Sequence, residues 1–220
     1  MGTVDAVIDV VLPVLDEVDA IPVVVAGLPA GYRAIVVDNG SRDGSAECAR
    51  RLGARVVTEA RRGFGHACFA GLLASTTDVV CFMDCDGSLR GSDLPAVAGP
   101  VCAGDAELVL GARRATSDDA WPWHSRVANR AVTHLLWRRT GVRLADLGPM
   151  RAAPRERLLA LGVEDRHCGW PLEMVVRAAR DGWRVTEESV AYDPRIGRSK
   201  VTGTVRGTTR AVRDMARVLS

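Results

Sequence analysis

A chain of 220 residues with 47% hydrophobic and 25% charged residues has the make-up of a soluble globular protein able to bury a sizeable core. Its net charge of only +2 gives no global electrostatic case for nucleic acid as a partner. No apolar run approaches the ~18 residues needed to cross a bilayer, no leader-type segment opens the chain, and the six scattered cysteines form no C-x-x-C pair, which reads as a reduced, cytoplasmic protein.

In chain order, residues 6–12 read as a first strand closed by Pro13, followed by a weak helix over 15–28 that starts in acid and contains Pro22. A second strand over 32–37 runs into Asp38-Asn39-Gly40-Ser41-Arg42-Asp43-Gly44-Ser45. This is turn chemistry in which Asp43 or Ser45 can cap a helix to about Leu52. A third strand over 55–58 precedes Gly63-Phe64-Gly65 and a helix of small and apolar residues ending near Ser75. Val79 to Met83 is a continuous apolar run, the pattern of a parallel strand covered on both faces. A helix over 92–103 and a strand over 106–111 complete a βα rhythm that predicts a parallel, right-handed, doubly wound sheet. Beyond Arg114 the rhythm breaks. The pattern there predicts a loop over 115–122, a basic helix over 123–140, a tight connection from Asp146 to Arg151, helices over 154–161 and 170–180, a strand over 184–190 and a terminal helix from about Gly203.

The chemistry concentrates where the apolar run ends, at Asp84-Cys85-Asp86. In extended backbone, residues two apart point the same way, so both carboxylates project together at the carboxyl end of a strand, where open α/β sheets bind ligands. Two hard oxygen donors suit Mg²⁺ or Mn²⁺, completed by water and substrate phosphate oxygens.

Taken in order, Leu12-Pro13-Val14-Leu15-Asp16-Glu17, the Val36 to Ser45 turn, Gly63-Phe64-Gly65-His66-Ala67, Met83-Asp84-Cys85-Asp86-Gly87, Gly111-Ala112-Arg113-Arg114, Asp146-Leu147-Gly148-Pro149-Met150-Arg151, Gly169-Trp170-Pro171-Leu172-Glu173-Met174 and Arg198-Ser199-Lys200 resemble the family 2 glycosyltransferases, in the branch of the dolichyl-phosphate mannose and glucose synthases. The resemblance covers nearly the whole chain. It implies a Rossmann-like glycosyltransferase A-type (GT-A) fold as one domain, with residues 1–114 as the nucleotide-sugar half and 115–220 as the acceptor half. It also implies an inverting, metal-dependent hexosyltransferase that takes a UDP- or GDP-linked sugar to an acceptor, foremost a polyprenyl phosphate.

By that resemblance Pro13, Asp38 and Asp43 hold the donor's base and ribose, Gly63 and Gly65 allow close backbone approach to the donor, and Asp84 and Asp86 carry the metal. Arg113 adds charge to a phosphate, and Asp146 is the candidate base. Turn formation competes for Asp38 and Asp43, solvation for Arg113 and Arg114, and a packed role for His66. Asp146 has the alternatives of orienting the acceptor or pairing with Arg151, and Glu173 that of an ion pair. Arg195, Arg198, Ser199 and Lys200 form a candidate clamp for the acceptor's phosphate. The helix after it carries Arg206, Arg210, Arg213 and Arg217 on one stripe, which fits either a solvated face or peripheral contact with the cytoplasmic membrane surface. A soluble hydroxyl acceptor is the runner-up. A nucleotidyltransferase and a non-catalytic nucleotide-sugar binder are the alternatives of other classes, the former disfavoured because acid stands after the first strand where a basic phosphate cradle is needed.

Overall fold

The apolar runs of the first half pair side by side. In the computed structural model, which describes residues 7–197 and Val218, β1 (Ile8–Val14) lies parallel between β2 (Tyr32–Asp38) and β4 (Val79–Phe82), with β3 (Arg55–Thr58) outside β2. Three further strands, β5 (Leu108–Ala115), β6 (Met150–Pro154) and β7 (Val185–Tyr192), extend the sheet to the order β3-β2-β1-β4-β6-β5-β7. Only β6 runs against the others, pairing antiparallel with β4 and β5. The expected connection from Asp146 to Arg151 therefore ends in a strand. Five residues with an arginine near their start carry no strand signature, and their neighbours in the sheet hold them there.

The helices α1 (Ile21–Ala26), α2 (Ser45–Arg51), α3 (Phe64–Ala74), α4 (Leu94–Cys102), α5 (Trp123–Thr140), α6 (Arg155–Ala160) and α7 (Trp170–Arg180) cover both faces. One apolar layer gathers Val10, Leu12, Ile21, Val36, Leu94 and Val97, and the other Val11, Ile35, Phe82, Leu110, Leu136 and Trp170. Alternate residues of β1 feed opposite layers, as period two requires. Three expectations shift. The first strand passes through Pro13 to Val14, and the first helix is short because Pro22 sits in its first turn and the residues before it form a loop with Asp16 at φ 55°. The strand expected over 106–111 runs instead from Leu108 to Ala115, held by its full-length parallel pairing with β7.

One contact fixes the lead-in to β6. A Cβ on Gly148 would fall 1.9 Å from the Gly111 carbonyl oxygen, so only glycine lets this connection lie against β5.

Candidate active site

Every strand but β6 points the same way, so the chain leaves β1, β2, β4, β5 and β7 on one edge of the sheet. Just past β4, Cys85 turns into the core while Asp84 and Asp86 keep part of their surface open, the alternation expected from their spacing. Asp86 Oδ1 accepts the Ser88 N–H at 3.0 Å and its hydroxyl at 2.6 Å. Its Oδ2 faces Arg195 Nη1 at 3.5 Å, and Arg195 Nη2 donates to Glu17 Oε1 at 2.8 Å. Asp84 has no hydrogen-bond partner among the described residues. Burial, then the neighbouring Asp86 charge, pushes its pKa up to about 7, against the opposing pull of Arg113, Arg195 and Arg151.

This donor set fits a hard divalent cation. It offers a carboxylate with no partner and a second with an oxygen turned away from its own turn, and neither thiolate nor imidazole. No cluster of three or more His, Cys, Asp or Glu side chains suited to a metal occurs among the described residues, so the remaining positions would fall to water and substrate oxygens.

The turn after β2 is tied together by its own side chains. Asp38 Oδ1 accepts the Ser41 N–H at 3.0 Å. Asp43 Oδ2 accepts the Val18 N–H at 3.0 Å, and its Oδ1 the Ser45 N–H at 3.0 Å and hydroxyl at 2.6 Å. Burial acts to raise the Asp43 pKa, but these bonds outweigh it and hold the carboxyl below its ordinary value. Asp43 Oδ2 thus ties the turn to the loop that follows Pro13 and Val14, while its Oδ1 holds Ser45 at the start of α2. Asn39, which sequence reading passed over, is the hub. Its Nδ2 donates to the carbonyls of Glu59 and Arg61 at 2.8 Å each, and its Oδ1 accepts the Gly63 N–H at 2.9 Å.

Gly63 and Gly65 lie against the chain itself. A Cβ on Gly63 would fall 2.3 Å from the Arg166 carbonyl oxygen, and one on Gly65 2.7 Å from the Arg166 carbonyl carbon. The Gly65 and His66 N–H groups donate to the carbonyls of His167 and Arg166. The close backbone approach expected here is to the 165–167 segment. His66 packs edge-on to His167 with ring centroids 5.9 Å apart, and burial lowers its pKa, so its packed role is the one observed.

On the other side of the acid pair stands Arg113. Its N–H and Nε donate to Asp146 Oδ2 at 2.9 and 2.7 Å, and its Nη2 to Oδ1 at 2.7 Å. Its guanidinium stacks 4.1 Å from the Trp121 ring centre and 5.2 Å from that of Tyr192. Asp146 is buried and both its oxygens are engaged, so the residue expected as a base stands as the anchor of Arg113, and its partner is Arg113 and not Arg151. Arg151 lies buried beneath the site, donating from Nε to the Gly148 carbonyl at 2.9 Å and from Nη1 to that of Pro171 at 2.5 Å. Burial lowers its pKa to about 10. Glu173 ties down residues 164–165 through their N–H groups and pairs with Arg177, the ion-pair alternative.

The segment after β7 returns to the acid pair. Asp193 N–H donates to the Ser88 carbonyl, Ile196 N–H to the Asp86 carbonyl, and the Asp193 carboxylate accepts two hydrogen bonds from the Arg90 guanidinium. Arg195 is thereby brought to the site, while Arg198, Ser199, Lys200 and the terminal arginines lie outside the described residues. Sequence reading assigns no site role to Ser88, Asp193 or Glu17, and places the last only in the acidic stretch after the first strand. They make contacts spanning the chain, which no local pattern signals.

Comparison with known proteins adds three findings. The model of the family described as glycosyl transferase family 2 matches residues 9–159. An uncharacterized glycosyltransferase of Mycobacterium tuberculosis is 48% identical over 214 residues, 97% of this chain and 98% of that protein. A dolichyl-phosphate hexose transferase of Haloferax volcanii is 29% identical over 87% of this chain and 85% of its own, and an undecaprenyl-phosphate mannosyltransferase of Micrococcus luteus 27% over 90% and 88%. Among solved structures, glucosyl-3-phosphoglycerate synthase from Mycobacterium tuberculosis in complex with Mg²⁺ and uridine-diphosphate aligns with a TM-score of 0.76 at 26% identity, over 97% of this chain and 78% of that one.

Proposed function

From its membership of glycosyl transferase family 2, with the GT-A fold of that family, we propose that this glycosyltransferase moves a sugar, with inversion, from a nucleoside-diphosphate sugar to a polyprenyl phosphate, with Mg²⁺ or Mn²⁺ at Asp84 and Asp86. The observation that carries the reading is the acid pair, in which Asp84 has no hydrogen-bond partner among the described residues and Asp86 turns one oxygen away from its own turn. When bound, the ion supplies Lewis-acid neutralisation of the diphosphate leaving group. Family membership leaves no room for the nucleotidyltransferase or the non-catalytic binder.

The chain's own residues divide the work. Pro13 and Asp38, at the ends of β1 and β2, line the donor's base and ribose, where carboxylate oxygens accept from hydroxyl and N–H groups. Asp43 holds that loop in shape. Residues 1–114 act as the donor half and 115–220 as the acceptor half. Arg113, fixed by Asp146 and by two aromatic rings, and Arg195, beside Asp86, present cations to phosphate oxygens, with Arg198, Ser199 and Lys200 completing the acceptor clamp. A phosphate monoester has its second pKa at about 6 and arrives largely dianionic at neutral pH. It attacks without a base, which accords with an Asp146 already committed to Arg113.

The polyprenyl acceptor draws its support from the relatives named for dolichyl and undecaprenyl phosphate. A small soluble acceptor is the second reading, favoured by the fold likeness to glucosyl-3-phosphoglycerate synthase. The test is release of nucleoside diphosphate across UDP- and GDP-sugars with Mn²⁺, with polyprenyl phosphate or soluble acceptors present. Turnover confined to a polyprenyl phosphate and abolished by EDTA is expected. Turnover undiminished by EDTA would refute the metal, and turnover confined to a soluble acceptor would refute the lipid.

A further inference from the structure

The helix α5 has a composition unlike the rest of the surface. From Ala120 to Ala145 there is no Asp or Glu, while the segment carries Arg126, Arg130, Arg138, Arg139 and Arg143 and three tryptophans. Its inward side is ordinary. Thr133 and Leu136 are buried, Val132 packs on the apolar layer, and Asn129 bonds the Ala145 carbonyl and the Leu147 N–H. The 3.6-residue period then sends Trp123, Val127, Arg130, His134 and Arg138 outward, with Leu135 on the flank.

Two features separate this face from a solvated one. Trp123, Val127 and Leu135 are 72%, 55% and 40% exposed, so three of the seven large apolar side chains exposed among the described residues stand on one helix. The second is the absence of acid. Among the described residues Arg126, Arg130, Arg138 and Arg139 have no ion-pair partner, and although Arg42, Arg51, Arg62, Arg114 and Arg180 share that state, each of those has an Asp or Glu within four residues along the chain, whereas none stands between Ala120 and Ala145. Exposed indole and aliphatic groups interleaved with unneutralised cations are the chemistry of a helix lying in a headgroup layer. There the rings enter the acyl boundary and the guanidinium groups meet phosphates.

We infer that the outward face of α5 docks on an anionic phospholipid bilayer. A second copy of the chain is a poorer occupant, because a two-fold contact would set these same cations against each other. The loop before α5 carries Trp121, which stacks on Arg113, so a docked helix holds the acceptor side of the cleft at the bilayer surface. The inference goes beyond the proposed reaction and is independent of which acceptor is used.

The test is co-sedimentation of the full chain with vesicles of phosphatidylcholine alone or mixed with phosphatidylglycerol, read together with tryptophan emission. Binding only to the mixed vesicles, weakened by salt and accompanied by a blue shift, is expected. The double variant Arg130→Gln/Arg138→Gln should lower the partition coefficient about thirtyfold, and Trp123→Ser should shrink the blue shift, with circular dichroism and melting unchanged. A parallel variant, Arg210→Gln/Arg213→Gln, tests the terminal stripe. Equal binding to neutral vesicles, undiminished binding of the α5 variants, loss of binding in the terminal-stripe variant alone, or an α5-dependent dimer with no vesicle binding would each overturn the inference.

Discussion

Asp84 and Asp86 differ in what their surroundings have already done for them. Asp86 is half satisfied by Ser88, whereas Asp84 has no hydrogen-bond partner among the described residues and its pKa is raised by burial and by the Asp86 charge. Asp84→Asn keeps the shape and removes the charge, so diphosphate release from the donor is expected to fall at least about a hundredfold, as is that of Asp86→Ala. Asp146 calls for a different outcome. Asp146→Asn leaves one acceptor oxygen where Arg113 now has two charged ones, so the guanidinium loses its fixed position and KM for the acceptor should rise about tenfold with a smaller change in kcat. A general base would reverse that split, and steady-state kinetics with varied acceptor decides. The acid pair was legible in sequence because two residues of one strand end need only the pleat to bring them together. The Asp146–Arg113 pair was not, since it joins two segments through the sheet. Gly63 and Gly65 were legible as a close approach but not as to what approaches, because the partner segment lies a hundred residues on.

Elements with strong internal pattern were read at their observed bounds, notably β3, α5 and α7, each bracketed by turn residues or proline. The strand β6 escaped because tertiary pairing, not its own residues, makes it a strand. Its lead-in depends on Gly148, so Gly148→Ala is expected to cost about 3 kcal/mol by forcing the connection off β5, measured by denaturant melts. Ion pairs sit at the strand ends, and they carry a pH signature. The Arg184 side chain and N–H, with Arg157 behind, pull Glu107 from its ordinary 4.5 down to about 2, and Arg61 does the same for Glu59. A folded pKa below the unfolded one means the unfolded chain binds more protons. These carboxylates therefore contribute stability above about pH 4.5 that is lost as pH falls toward about 2. The melting temperature should drop through that window, and Glu107→Gln should flatten part of the drop while lowering the plateau by a few degrees.

Across the whole molecule, the strand and helix rhythm of the first half was enough to announce the sheet, because parallel units repeat a local plan. The second half closes the site by long-range return, and there the pattern ran out. Arg195 meets Glu17 from the loop after β1 and Asp86 from the loop after β4, three segments that no periodicity relates. That meeting has a consequence for binding. A guanidinium 3.5 Å from Asp86 Oδ2 stands where a divalent ion's charge would be felt, so ion and arginine compete for one carboxylate. Arg195→Gln removes the competitor, and Mn²⁺ should then bind in the presence of UDP about fivefold tighter, read by calorimetry or by loss of the free-ion resonance signal. The same variant should turn over more slowly if, as proposed, the side chain that faces Asp86 also binds the acceptor phosphate. Tighter metal with slower transfer is the expected pairing. Unchanged metal affinity would mean that Arg195 and the ion occupy separate ground, and slower transfer alone would leave it an acceptor contact only.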